Sequence, residues 1–164
     1  MKPAVTAYIG LGSNLDNPEI QINTALDELD AIPSSHSVTH SSLYSSRPMG
    51  PAEQPDYINA VAALETYLEP FPLLRALQAI EQVHKRKRGE RWGPRTLDLD
   101  LLLYGELILD ETDLKIPHPG IAMRAFVIYP LLEIAPSLKL PGLGSIEQIA
   151  AAGSPGDVSR VRVN

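Results

Sequence analysis

The run Thr96-Leu-Asp-Leu-Asp-Leu-Leu-Leu-Tyr104 sets the narrowest limits on what this chain can fold into. From Thr96 it alternates, with Leu97, Leu99, Leu101 and Leu103 on one side of a strand and Asp98, Asp100, Leu102 and Tyr104 on the other. The leucine row needs a covered sheet face, so the chain must build a sheet with a core on that side. The opposite face then carries two carboxylates about 6.6 Å apart along the strand. Charges of one sign that close repel unless a cation lies between them. A divalent ion, or a pair of ions about 3.5–4 Å apart, satisfies them. All-oxygen ligation with few protein donors suits magnesium, which keeps waters and takes further ligands from phosphates. The competing reading is a solvated strand face.

Residues 84–95, immediately upstream, read His-Lys-Arg-Lys-Arg-Gly-Glu-Arg-Trp-Gly-Pro-Arg. Six of the chain's 14 lysines and arginines lie here against one acid, Glu90, so the segment is +5 and the remainder of the −6 chain is −11. Gly89, Gly93 and Pro94 predict a loop rather than a continued helix. Arginine forks suit phosphate oxygens. A cationic loop opening onto a D-x-D strand is what a magnesium–polyphosphate site requires, with a solvated charge run or a nucleic-acid patch as alternatives for the loop alone.

Composition narrows the class. At 164 residues the chain is expected to form one domain, 1–164, with a real core. No apolar run reaches the length of a membrane span, and no signal-peptide core follows Met1. Cysteine is absent, which removes disulfides and thiolate metal sites and fits the cytoplasm. The net negative charge argues against a general nucleic-acid binder.

Along the chain, Ala4 to Gly10 reads as a strand and Gly10-Leu-Gly-Ser-Asn-Leu as a tight turn into a helix. Leu15 occupies the third glycine position of a dinucleotide loop and no G-K-[ST] follows, so neither nucleotide-loop motif is present. Ile20, Ile22, Ala25, Leu26, Leu29 and Ile32 predict one buried helix face, closed by Pro33. Residues 36–45 predict a second strand. His36 and His40 would share its face about 13 Å apart, too far to ligate one metal. Pro48, Gly50, Pro51 and Pro55 make a rigid loop before a strand at 57–66, which puts Tyr57 and Asn59 on one face. An aromatic ring beside an amide can grip a flat heterocycle, one by stacking and the other by reading its edge. Pro70 to about Lys85 predicts a second helix, with Glu81 close to the basic loop, either paired with an arginine or positioning nucleotide. After Gly105 come a short strand at 107–110, a second helical segment opened by Pro130, a capping box at Ser145-Ile-Glu-Gln148 and a last strand from Val158. Arg160 and Arg162 are expected only to keep that edge soluble.

Arg91-Trp-Gly-Pro-Arg-Thr-Leu-Asp-Leu-Asp100 resembles the signature of the 6-hydroxymethyl-7,8-dihydropterin pyrophosphokinase family, enzymes of folate biosynthesis. The resemblance runs from Ala7 to about Pro136. It takes in Gly12-Ser-Asn-Leu15, then Tyr44-x-Ser46-x-Pro48-x-Gly50 with Pro55-Asp-Tyr57-x-Asn59, Pro117-His-Pro119 and Arg124-Ala-Phe126. It implies that Ser46, Pro48, Met49, Tyr57, Asn59, Trp92 and Phe126 bind pterin, the Ser46 hydroxyl standing where the family usually has threonine. It implies ATP contacts from Glu81, Arg88, Arg91, Trp92, His118 and Arg124, and two magnesium ions on Asp98 and Asp100; Lys115, near in sequence, is expected to reach a phosphate. Arg86 and Arg95 would stabilise phosphate charge during pyrophosphoryl transfer. The segment holding Trp92 would close over ATP. Gly120 and Met123 depart from the Arg and Glu common in the family.

The resulting expectation is an α+β, ferredoxin-like sandwich, a mainly antiparallel sheet with helices covering one face. The expected form is a monomer that takes ATP and the pterin and binds neither nucleic acid nor membrane. Two other classes compete. A palm-like nucleotidyl transferase or cyclase would use the aspartates without the Tyr57, Asn59 and Phe126 pocket. An RNA-binding module would need exposed aromatics among basic residues, and the chain has only nine aromatics in all.

Overall fold

The computed structural model describes residues 3–14, 17–46, 56–88, 97–153 and 158–161, the side chains of 85–88 and of Met123 excepted. The elements run β1 (Val5–Ser13), α1 (Pro18–Asp30), β2 (Ser35–His40), β3 (Tyr44–Ser46), β4 (Tyr57–Thr66), α2 (Pro70–Arg88) and β5 (Asp98–Tyr104). Then come β6 (Leu109–Asp110), β7 (Lys115–Ile116), a 3-10 turn (Ile121–Met123), α3 (Ala125–Ile134), β8 (Lys139–Leu140), β9 (Gly144–Ser145), α4 (Ile146–Ala152) and β10 (Ser159–Arg160). The main sheet is ordered β10-β3-β4-β1-β5, with β2 also on β4, and every pair in it is antiparallel. With β2 and β3 taken together, β1-α1-β2/β3-β4-α2-β5 is the ferredoxin-like order, which leaves β1 central between β4 and β5. Among the described residues no helix is long and apolar enough to cross a membrane.

The sheet has two covered faces, not one. Ala60, Ala62 and Leu64 of β4 and Leu97, Leu99 and Leu101 face α1 and α2. Val61, between them, points the other way, into a second core with Val127, Ile128 and Leu131 of α3. The alternation expected for Leu97 to Tyr104 holds through Leu101 and then breaks. The β1–β5 register slips between Tyr8 and Ile9, so Tyr8 faces Leu103 and Ile9 faces Leu101, with Leu102 the extra residue of a bulge. Leu102 and Leu103 both enter the α3 core, and Tyr104 packs against the first. A bulge is invisible to a period-two pattern, because all three residues are apolar enough for either side.

Several boundaries differ from the sequence reading, each for a local reason. β1 continues through Gly10-Leu-Gly-Ser13 instead of turning there, because pairing with β4 runs to Ser13↔Ile58. The turn falls later, and Asn17 precedes α1 in the left-handed region at φ 61°. Ile20 is 63% exposed and leaves the α1 stripe to Ile22, Ala25, Leu26 and Leu29, which keep helical spacing. The strand expected at 36–45 is two strands. Between them Ser41 turns inward: its Oγ accepts from Val61 N at 3.0 Å and its N–H donates to Val61 O at 2.8 Å. α2 runs to Arg88, so the first half of the basic segment is helical. Lysine and arginine are good helix formers and are favoured at a helix C-terminus. Pro130 sits inside α3 rather than opening a new segment. The helix continues because Val127, Ile128 and Leu131 are buried on either side of it. Ser145 caps α4 as expected, with Gln148 N donating to its Oγ at 3.2 Å.

His84, rather than Val83, completes the buried stripe of α2. It is 2% exposed and bonded through both ring nitrogens to α1, Nδ1 to Gln21 and Nε2 to Glu28. This pair of contacts docks the last turns of α2, from which the basic segment departs. His84→Ala should lower stability by about 2–4 kcal/mol, since it opens a cavity and strips two polar partners at once. Urea denaturation reads it, and a loss under about 1 kcal/mol would show that the docking lies elsewhere.

Candidate active site

The site begins with two glycines on the central strand. Gly12 stands between Asn59 of β4 and Asp98 of β5, and Gly10 between Val61 and Asp100. With no side chains there, a bare strip of backbone separates the amide of Asn59 from the two carboxylates. A Cβ on Gly12 would lie 3.3 Å from Asn59 Oδ1 and 4.0 Å from Tyr57 Cδ1, and one on Gly10 would lie 3.4 Å from Leu102. Above this strip is a cavity of ≈ 220 Å³ that also meets Ser46, Tyr57, Arg124 and Phe126.

One end of the cavity is lined by an amide, a hydroxyl and two aromatic rings. Asn59 is 4% exposed, and its Nδ2 donates to Ser46 Oγ at 2.8 Å. That bond assigns the amide, leaving Oδ1 turned over Gly12 as an acceptor. Tyr57 shares the face of Asn59, two residues away. Burial pushes its hydroxyl above the ordinary tyrosine value, and the charge of Asp98 pushes it further. Phe126, in the first turn of α3, supplies the opposite wall, and the Arg124 guanidinium lies 5.8 Å from its ring centroid.

The other end is charged. His118 Nε2 is 3.9 Å from Asp100 Oδ1. Its backbone N–H donates to Leu102 O at 3.0 Å, and its Nδ1 accepts from Gly120 N at 3.3 Å, so the ring is fixed beside β5. Burial holds this imidazole below its ordinary value, Asp100 pulls it up, and Arg124 pushes it down again. Arg124 lies folded across Gly120, where an added Cβ would come within 2.8 Å of its Nε. Glu81 Oε2 accepts from Leu99 N at 2.8 Å, which pins the peptide between the two aspartates.

Among the described residues no three acidic or imidazole groups cluster as a protein-only metal cage. Two carboxylates on one strand face, over glycine floor, make an oxygen-donor site with few protein ligands. That donor set fits magnesium shared with substrate phosphates.

The structure therefore brings together Ser46, Tyr57, Asn59, Asp98, Asp100, His118, Arg124 and Phe126, with Glu81 behind the aspartates. Lys115 is held elsewhere, its ammonium on Asp110 across the β6–β7 ladder. Pro48, Met49, Arg91, Trp92 and Arg95, and the side chains of Arg86 and Arg88, lie outside the described residues. The glycine floor was missed in the sequence, although continuing the alternation of Ala7, Ile9 and Leu11 to Ser13 would have put Gly10 and Gly12 on the aspartates' face. Nothing local signals the Glu81–Leu99 bond.

A family model described as 7,8-dihydro-6-hydroxymethylpterin-pyrophosphokinase (HPPK) matches residues 8–136. The chain is 52% identical to the 2-amino-4-hydroxy-6-hydroxymethyldihydropteridine pyrophosphokinase of Pseudomonas aeruginosa over 145 residues, 88% of this chain and 90% of that protein. It is 51% identical to the enzyme of the same name from Haemophilus influenzae, covering 88% and 91%. Among solved structures, wild-type Plasmodium falciparum HPPK-DHPS with SDX-DHP superposes with a TM-score of 0.74 at 14% identity. That match covers 91% of this chain and 44% of the longer one, and it speaks to the fold alone. The chain thus spans under half the length of that neighbour. With these relatives and this site, the chain belongs to the 7,8-dihydro-6-hydroxymethylpterin-pyrophosphokinase family and transfers pyrophosphate from ATP to 6-hydroxymethyl-7,8-dihydropterin.

Proposed function

We propose that the cavity over Gly10 and Gly12 is where this transfer takes place, and that it is magnesium-dependent. The observation that carries the reading is the convergence, on one face of three adjacent strands, of a ring-binding end and a carboxylate end. The pterin lies between Tyr57 and Phe126. Asn59 Oδ1 accepts from an N–H on the ring edge, and the Ser46 hydroxyl holds the amide in that orientation. Pro48, Met49 and Trp92 are assigned to pterin binding by the sequence signature alone. A ring so held extends along the glycine strip, which turns its hydroxymethyl group toward Asp98.

Asp98 and Asp100 would hold two magnesium ions. When bound, these supply charge neutralisation of the triphosphate and activation of the attacking hydroxyl. His118 and Arg124 meet phosphate oxygens from the α3 side. Arg86, Arg88, Arg91 and Arg95 are assigned to the same phosphates, and Trp92 to the nucleotide, by the sequence signature alone. Glu81 serves the nucleotide end by fixing the strand that bears the aspartates. The hydroxymethyl oxygen attacks the β-phosphorus, the bond to the α-phosphate oxygen breaks, and AMP leaves. No side chain is assigned as general base, because positioning and electrostatics suffice for this class of transfer.

Phosphorus NMR of the protein with ATP, magnesium and the pterin tests the reading. AMP and a pterin diphosphate should appear together, and should vanish when magnesium is chelated. ADP in their place, or turnover indifferent to chelation, would sink it. Residues 1–164 work as one domain, as a monomer, in the cytoplasm. Light scattering checks the monomer against the chain mass of 17.9 kDa, and twice that mass would contradict it.

A further inference from the structure

The family model ends at residue 136, yet the last described residues return to the sheet beside the site. In β10, Ser159 pairs with Ser45 and Arg160 with Tyr44, and Val161 N donates to Leu43 O at 2.7 Å. Arg160 does more than keep an edge soluble. Its guanidinium donates to Tyr44 Oη at 3.2 Å, lies 3.4 Å from Glu133 Oε1, and covers the Tyr44 ring at 5.7 Å.

Glu133 is the centre of this group. It accepts from Tyr44 Oη at 2.6 Å, from Ser42 Oγ at 3.0 Å, and from Ser42 N at 3.0 and 3.1 Å to its two oxygens. One carboxylate near the end of α3 thus holds the β2–β3 connection, β3 itself and the C-terminal strand. Burial raises its pKa, but the bonds from Tyr44 and Ser42 and the charge of Arg160 outweigh burial and hold it below the ordinary glutamate value.

The two partners joined here also carry the two sides of the ring-binding end. α3 bears Phe126 seven residues, two turns, before Glu133, on the same helix face. β3 bears Ser46 two residues after Tyr44, on the same strand face, where it meets Asn59. The spacing between Phe126 and the Ser46–Asn59–Tyr57 wall is therefore set by how α3 docks on β3. We propose that Glu133, locked by Arg160 of the C-terminal strand, is a positioning residue that sets the width of the pterin slot. This rests on the location of the pterin given above. It assigns a role to a tail that lies beyond the family's matched region.

Calorimetric titration of the folded variants tests it, with 6-hydroxymethyl-7,8-dihydropterin in the presence of magnesium and a non-hydrolysable ATP analogue. Glu133→Ala should weaken pterin binding by about tenfold, the worth of one good hydrogen bond, and the ATP analogue by less than about twofold. Glu133→Gln keeps one acceptor oxygen for Tyr44 but turns the other into a donor facing Ser42 N, so it should recover only part of the loss. Arg160→Ala should fall between wild type and Glu133→Ala, because its partner is only partly covered. Tyr57→Ala is the reference for the slot. If Tyr57→Ala weakens the pterin and Glu133→Ala does not, the positioning role is wrong and the location of the pterin stands. If neither weakens it, the location fails and the positioning role with it. Equal weakening of pterin and nucleotide by Glu133→Ala would mean general loosening and would also overturn the role.

Discussion

Asp98→Ala should cut turnover by about three orders of magnitude, the scale of several kcal/mol of lost transition-state charge stabilisation. The fold should hardly notice. Asp98 belongs to neither core, and the leucines around it, Leu97 and Leu99, stay buried on the opposite face. A thermal midpoint within a few degrees of wild type is the expected companion result. Two further readouts separate loss of the metal site from loss of structure. Manganese binding, followed by paramagnetic resonance with a nucleotide present, should drop. The Tyr57 hydroxyl should titrate at lower pH, since Asp98 is one of the two influences raising it. Full activity in Asp98→Ala would remove the carboxylate pair from the mechanism.

Gly12→Val should abolish measurable pterin binding, a loss of at least about a hundredfold, while the sheet survives. Valine suits a strand, so β1 can keep its pairing. Its Cβ, however, would sit 3.3 Å from Asn59 Oδ1, and the two methyls beyond it would fill the strip on which the ring lies. The amide is held on its other side by Ser46 and cannot retreat without breaking that bond. Gly10→Ala is the contrast. Its added carbon meets Leu102 at 3.4 Å, ordinary contact with a side chain that can shift, and pterin affinity should change by less than about tenfold. Circular dichroism and calorimetry on both variants give the answer. Normal pterin binding by Gly12→Val would falsify the glycine floor.

Much of the placement of the candidate residues was legible along the chain because it is local. Asp98 and Asp100 needed only the two-residue period of a strand to share a face, and so did Tyr57 and Asn59. The Ser145 cap needed only its own next turn. The alternation of hydrophobic strands and helices set the α+β class. The rare residues around Trp92 and the Pro-His118-Pro and Arg124-Ala-Phe126 blocks identified the family.

What the chain could not disclose is what depends on distant partners. The bulge at Leu102 exists because β1 slips against β5, and three apolar residues in a row give no sign of which side each will take. The second core exists because α3 returns to the face that also bears the aspartates, so the site is a cavity at the edge of a packed layer rather than an open sheet face. Gly10 and Gly12 read as a turn until pairing with β4 showed that the strand continues through them. Glu81 accepts the Leu99 N–H, and Arg160 reaches Tyr44 from 116 residues away. A sequence determines which groups its backbone period can present together over a few residues. Which strand edge or helix end each group meets is decided by long-range register and packing. Here those two settled the floor, the wall and the width of the site.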